Sequence, residues 1–200
     1  MTLFELFEDI NKHLLEDEWP SLFLNEIYND DLFREHPFKM LHTLKNVEQS
    51  PVHHPEGNVW NHTLLVVDEA AKIKHKSKNQ RVLMWAALLH DIGKASTTAK
   101  RKDKITAYDH DKVGAELSKE FLRIFTDDEK FLDEVSQLIR YHMQILFVVN
   151  GLPFADIEGM KRNTDIQEIA LLGLCDRLGR KGYDKEKEEK NIELFLQKSK

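Results

Sequence analysis

The sequence predicts an all-α fold, and three observations carry that prediction. Glycine and proline are scarce, with 8 and 5 copies in 200 residues, well below the roughly 12% combined share of an average chain. Apolar residues recur at helical spacing in nearly every stretch between breakers. No alternation of apolar and polar residues runs longer than a few positions, whereas a turn-rich sandwich or barrel would need many such runs.

The elements follow in order. Leu3, Leu6, Phe7, Ile10 and Leu14 share one face and open the chain as an amphipathic helix. Pro20 begins a second short segment, because its fixed φ suits a first helical turn. A third helix is expected from Asp31 to about Gln49. The stretch SPVHHPEG, residues 50–57, is a loop by its two prolines and its glycine. Helices then run from about Asn61 to Lys76 and from about Asn79 to Ile92, the second stopping at Gly93. Residues 96–108 read as irregular and basic, with Lys100, Arg101, Lys102 and Lys104 crowded together. Further helices are expected at about 110–125, 128–149, 164–178 and 185–198. The charge run from Asp184 to Lys190 reads as a solvated helix face with Glu/Lys pairing. The length suits one domain, residues 1–200, with a real core.

Composition narrows the function classes. The 29 basic and 35 acidic side chains leave a net charge of −6, so broad electrostatic binding to double-stranded DNA is not expected, although a local basic patch could hold a phosphate. The longest apolar run ends at Leu89 and is far shorter than the ~20 residues a bilayer-crossing helix needs, so no membrane partner is expected. The opening MTLFELFED is acidic where a secretory signal would be basic. Cys175 stands alone, which excludes an intrachain disulfide and makes a reducing cytoplasm the expected location.

The informative feature is a set of ionisable residues on apolar stripes. His62 continues the row of Leu65, Val66 and Ile73. His90 continues Leu83, Ala86 and Ala87, with Asp91 beside it. His110 leads Val113, Leu117 and Phe121, and His142 sits among Val135, Leu138, Ile145 and Val149. Asp176 follows Ile169 and Leu172. A buried carboxylate without a partner costs several kcal/mol, on the order of the penalty for an unpaired ion, so each aspartate demands a cation or donors. One such histidine alone is ordinary core chemistry, and either aspartate could cap a helix or pair with Arg177 or Arg140. Five coincidences on separate helices are explained together by one metal site.

Imidazoles and carboxylates make a mixed N/O shell that suits Fe, Mn, Co, Ni or Zn better than an all-oxygen Mg or Ca cage, with Mg also compatible. No cysteine joins the set, which argues against a structural zinc site. An ion in such a shell lowers the pKa of bound water toward neutrality, and the resulting nucleophile is suited to phosphorus.

The motifs WNHTLLVVDEA, ALLHDIGKA, AYDHDKVGAEL, IRYHM and LCDRLGR, in that order, resemble the HD superfamily of metal-dependent phosphohydrolases. HHPEGNVWNHTLLVVDEA, DHDKVGAEL and the Asp-x-x-Gly-Arg ending at Arg180 are most similar to the HD domain attached to bacterial CCA-adding tRNA nucleotidyltransferases. The resemblance covers about residues 51–183 and implies an HD-domain helical bundle, with residues 1–50 as a helical extension. These residues hold no glycine-serine stretch followed by paired aspartates on a strand, so CCA addition is not expected of them.

The resemblance further implies that His62, His90, Asp91 and Asp176 hold a first divalent ion, with His110 and His142 at positions that bind a second ion in two-metal relatives and Asp91 as the bridge. Either one or two ions are compatible with these residues. If only one is held, His110 and His142 would contact substrate or act as general acid. Lys94 lies one turn beyond His90 and would face the metal if the helix continued past Gly93. Arg180, one turn from Asp176, is the better phosphate ligand of the pair Arg177 and Arg180, because a guanidinium fork matches phosphate oxygens. Thr98 offers a hydroxyl to a phosphate, and Trp60 would either stack on a base or fill the core. His53 lies in a loop, and His54, in HPEG, reads as structural framing.

The expected activity is hydrolysis of a nucleotide-type phosphomonoester or a 2′,3′-cyclic phosphodiester by metal-activated water. The expected partner is a small-molecule phosphoester, with an RNA end as second candidate. The alternatives are a noncatalytic HD module that binds a nucleotide or RNA, or a partner of a separate nucleotidyltransferase.

Overall fold

Short polar side chains set most of the helix starts. The computed structural model describes residues 1–102 and 104–200, and of the basic stretch the Arg101 side chain lies outside the described residues. Thr2 and Glu5 form a reciprocal capping box at the start of α1 (Leu3–Glu16). Pro20 opens α2 (Pro20–Ile27) at its first position. The short α3 (Lys39–His42) leads through a 3₁₀ turn into the loop before α4 (Val59–Ile73). Asn58 caps α4 and Asn79 caps α5 (Gln80–Leu89), each side-chain oxygen accepting from a backbone N–H of the first turn. The single-turn α6 (Lys94–Thr97) runs into an antiparallel hairpin of β1 (Thr98–Arg101) and β2 (Lys104–Ala107), with Thr98 opposite Ala107. Next come α7 (His110–Arg123), α8 (Glu129–Tyr141), α9 (Gln144–Val149), α10 (Ile157–Asn163), α11 (Ile166–Leu178) and α12 (Lys185–Lys198). Asp128, Asp156, Asp165 and Asp184 cap α8, α10, α11 and α12.

The fold is all-α apart from this small hairpin, and several boundaries differ from the sequence expectation. The helix expected from Asp31 to Gln49 is instead a 3₁₀ turn at Leu32–Arg34, then α3, then a 3₁₀ turn at Thr43–Asn46. Pro37 is the reason, since it disfavours helical backbone at His36 and cannot donate into a ladder. The helix expected at 128–149 breaks at His142 and Met143 into α8 and α9. The segment expected to be irregular at 96–108 holds α6 and the hairpin, and α10 was not anticipated. The helix expected to run to Ile92 stops at Leu89, so His90 is the C-cap of α5 and Asp91 to Gly93 form a turn.

The most apolar helix becomes the centre of the molecule. Every residue from Val82 to Leu89 is buried, as expected of a helix that is apolar on all sides, and α5 packs against α1, α4, α8 and α11. Residues 1–50 contribute to the same contiguous core. The Phe7 ring stacks on Trp85 with centroids 4.7 Å apart, and Trp85 Nε1 donates to Asn11 Oδ1 at 3.0 Å. Ser21 donates from both its backbone and its hydroxyl to Asp68 on α4, at 3.0 and 2.7 Å. Trp60 is 1% exposed and belongs to this core, which removes it as a stacking platform.

One backbone contact fixes the distance between the turn after α5 and the start of α7. A Cβ on Gly93 would lie 2.2 Å from the His110 carbonyl oxygen and 2.7 Å from the Gly114 nitrogen, and Gly114 faces back toward Gly93 N. Backbone atoms cannot yield as a flexible side chain would. Gly93→Ala is therefore expected to lower stability by about 1–3 kcal/mol through overpacking, read as a fall of several degrees in Tm. A Tm within about 1 °C of the parent would contradict this account of the contact.

Candidate metal centre

Three histidines share one local device. His90 and His142 directly follow the last residues of α5 and α8, and His110 is the first residue of α7. Each ring places Nδ1 against the carbonyl three residues earlier: His90 on Ala87 O at 2.8 Å, His110 on Ala107 O at 2.7 Å, and His142 on Ile139 O at 2.6 Å. A carbonyl can only accept, so Nδ1 carries the proton and Nε2 keeps its lone pair. His62, in the first turn of α4, is held by Glu56, whose Oε1 lies 3.0 Å from its Nδ1.

All four Nε2 atoms then face one carboxylate. Asp91 is 2% exposed. Its Oδ2 lies 3.3 Å from His90 Nε2 and 3.9 Å from His62 Nε2. Its Oδ1 lies 3.5 Å from His110 Nε2 and 4.0 Å from His142 Nε2. Asp176 joins from α11, with Oδ1 3.0 Å from His62 Nε2. The structure therefore brings together the six residues singled out as ligands, from five helices and the turn after α5.

The donor set fits a metal on two observations. His90 Nε2 is buried without a hydrogen-bond partner, and His110 Nε2 stands 3.2 Å from His142 Nε2, so two lone pairs oppose each other unless a cation or proton lies between them. His62, His90 and Asp91 form one group able to hold an ion, and Asp91, His110 and His142 form a second, the donor atoms of each group lying within 4.8 Å of one another. Asp91 is common to both.

The cations predicted around the site divide. Lys94 Nζ reaches Asp91 Oδ2 at 2.7 Å and also donates to Gln49 Oε1 at 2.7 Å. It does so from α6, which restarts the helical backbone beyond Gly93. Arg180 Nη2 donates to both oxygens of Asp176, at 3.2 and 3.1 Å. Arg177 turns away: it binds Glu188 at 2.6 Å and lines a separate small cleft, not the cavity over Asp91. Thr98 stands on the wall of that cavity, which has a volume of about 690 Å³ and also opens onto Lys94, Arg180 and the hairpin.

Glu56, His54, Gln49 and the hairpin wall were not singled out as functional by the sequence. Glu56 lies in a loop without periodicity, yet its buried carboxylate also meets His54 Nδ1 at 2.8 Å and accepts from Lys181 N at 3.2 Å. The only signal in the sequence is the HPEG stretch itself, since an acidic residue six positions before a core histidine can turn back on it.

The HD domain family matches residues 59–180 of the chain. The chain is also similar to three proteins described as "Multifunctional CCA protein". That of Actinobacillus pleuropneumoniae serotype 5b is 36% identical over 103 residues, covering 50% of this chain and 24% of that protein. The Halorhodospira halophila protein is 32% identical over 147 residues, covering 70% and 34%. The Verminephrobacter eiseniae protein is 33% identical over 150 residues, again covering 70% and 34%. The chain thus spans about a quarter to a third of the length of these relatives. Among the described residues no helix is long and apolar enough to cross a membrane.

Burial and charge pull the site's titrations in opposite directions. Burial would raise the Asp91 carboxyl, but the neighbouring His90, Lys94 and His110 hold it well below the usual carboxylate range. Burial likewise opposes, and Arg180 and His62 outweigh it, at Asp176. Burial, then the like charges of His110 and His90, pushes His142 down to about 4, and burial with Lys94 does the same to His54. Between pH 6.5 and 4 these two imidazoles bind fewer protons folded than unfolded, so unfolding takes up protons and stability falls as pH falls. His62, raised by Asp176 and Glu56 against its burial, works in the opposite sense, and only above pH 6.5. The urea midpoint of chelator-treated protein should therefore drop steadily from pH 6.5 to 4.5, and the slope should flatten in a His54→Asn, His142→Asn double variant. A midpoint that is flat across that window would show that these imidazoles are not held neutral.

Proposed function

The chain belongs to the HD domain family, whose members are usually metal-dependent hydrolases, and on that premise we propose that it is a metal-dependent phosphohydrolase. Its proposed substrate is a nucleotide-type phosphomonoester or a 2′,3′-cyclic phosphodiester, free or at an RNA end. The observation that carries the reading is the convergence of the His62, His90, His110 and His142 Nε2 atoms, the last three tautomer-locked by a backbone carbonyl, on buried Asp91 at the floor of a cavity of about 690 Å³. His62, His90, Asp91 and Asp176 would hold one ion, and Asp91, His110 and His142 a second. When bound, a divalent ion supplies Lewis acidity toward phosphate oxygens and lowers the pKa of the attacking water.

The chain's own residues supply the rest. Lys94 and Arg180 line the cavity while pairing with Asp91 and Asp176. Both carboxylates need positive compensation when buried, and a divalent ion provides it, which leaves the ammonium and the guanidinium free to take the phosphate oxygens. Thr98 can donate its hydroxyl to the same group from the cavity wall. Attack of water at phosphorus forms a new P–O bond as the ester P–O bond breaks, and the proton the water gives up ends on the leaving oxygen. Arg177, committed to Glu188, has no part in this arrangement. The relatives described as multifunctional CCA proteins are about three to four times as long as the stretch they share with this chain, and the proposal extends to phosphoester hydrolysis alone.

Metal analysis of the purified protein, combined with a turnover screen over nucleotides and 2′,3′-cyclic nucleotides with and without added divalent ions, tests this directly. Asp91→Ala should lose metal and turnover together, because it removes a ligand common to both groups. Full metal content with unchanged turnover in that variant would refute the assignment. His142→Ala should lose about half of the bound metal if two ions are held. Intact metal with slowed turnover would instead make His142 a general acid.

A further inference from the structure

We infer that Tyr108 and Phe154, at the mouth of the cavity, hold the planar ring of the substrate by stacking, with Phe147 as the support behind Phe154. The inference rests on the phosphohydrolase reading and narrows its substrate to ring-bearing phosphoesters, with little selection among nucleobases.

Both side chains are strongly exposed, Tyr108 at 71% and Phe154 at 65%, and both line the cavity that has Asp91 at its floor. They come from separate parts of the chain, Tyr108 from the link between β2 and α7 and Phe154 from the loop between α9 and α10. A phosphate group fills only a small part of about 690 Å³, so the remainder suits the organic portion of a larger ligand.

The Phe154 loop is built to hold its shape. Gln144 is 1% exposed, and its amide spans the loop: Nε2 donates to Phe154 O at 3.3 Å and Oε1 accepts from Asp156 N at 2.7 Å. Leu152 N donates to Phe147 O at 2.8 Å. The Phe147 ring then packs against Phe154 with centroids 5.6 Å apart and planes tilted by 58°. The clamped loop therefore presents Phe147 and Phe154 as a preformed aromatic wall on the cavity that has Asp91 at its floor.

Three of the polar groups that line this cavity are already paired. Asp109 pairs with Lys112 at 2.7 Å, Asp111 with Arg140 at 2.7 Å, and Gln49 with Lys94 at 2.7 Å. Stacking needs only the face of the ring and tolerates any base, and it leaves these pairs intact.

The test reads binding without turnover. Calorimetric titrations would compare adenosine 5′-thiophosphate, uridine 5′-thiophosphate and ribose 5-thiophosphate on the metal-loaded protein, since thiophosphates resist hydrolysis. The two nucleotides should bind within about threefold of each other and at least about fivefold more tightly than the ribose compound. Phe154→Ala and Tyr108→Ala should each remove most of that advantage while leaving ribose 5-thiophosphate affinity and Tm unchanged. Equal binding of all three ligands, an adenosine-to-uridine preference above about tenfold, no binding of any, or no effect of either variant would overturn the inference. A protein that binds nucleotides in this pattern yet hydrolyses none would overturn the phosphohydrolase reading and leave the ring-binding shelf intact.

Discussion

The arrangement depends on one electrostatic constraint: the Asp91 carboxylate is 2% exposed and must be compensated where it lies. His62, His90, His110, His142 and Lys94 all direct nitrogen toward it. These groups arrive mostly from helix ends, and the ends are the right places. The last turn of a helix leaves carbonyls without an intrahelical donor. His90 and His142 each sit just past such a turn and place Nδ1–H on one of those oxygens. The same hydrogen bond closes the helix and fixes which nitrogen keeps a lone pair, so local folding and the chemistry of the site are set by one contact.

Rigidity behind the site comes from α5. The burial of Val82 to Leu89 leaves His90 and Asp91 little freedom, and the close approach of Gly93 to His110 O and Gly114 N sets the turn against the start of α7. Asp109, at φ 58°, adopts the left-handed conformation that directs the chain into that helix with His110 as its first residue. Residues 1–50 add support at a distance. The aromatic stack of Phe7 on Trp85 and the Asn11 acceptor for Trp85 lock α1 onto the helix that carries the doublet. Lys74 ties the end of α1 to α4 through the carbonyls of Leu14 and Asp17. Gln49, on Lys94, is where this part of the chain meets the site itself.

How much of this was legible in the sequence follows from which signals are periodic. The histidines and aspartates stood out because they interrupt apolar stripes, and the resemblance to HD phosphohydrolases ordered them into ligand groups. Helix existence was legible for the same reason, while the Pro37 break and the split at His142 depended on single residues within otherwise helical patterns. The hairpin was not legible, because neither face of Lys104–Ala107 is fully buried and so no alternation was imposed on it. Glu56 escaped because its partners lie in a loop and across the fold, where spacing carries no information. The spacing already favoured Arg180, one turn from Asp176, over Arg177, but the ion pair that occupies Arg177 comes from tertiary context, Glu188 on α12.

The cost of the arrangement also says something about its purpose. Two of the buried polar atoms without a hydrogen-bond partner, His90 Nε2 and Arg180 Nε, lie beside the Asp91 and Asp176 carboxylates. Each such atom costs about 1–3 kcal/mol, and a chain selected only for stability would replace them with apolar groups of similar volume. Here the two carboxylates beside them line one cavity together with Lys94 and Arg180. Burial of α5 and the aromatic cluster around Trp85 and Phe121 supplies the stability that offsets them. The division of labour is therefore spatial: the core carries the fold, and the unsatisfied atoms sit where the C-terminal end of α5 and the start of α7 meet, the region that any ligand bridging His62, His90, His110 and His142 would have to occupy.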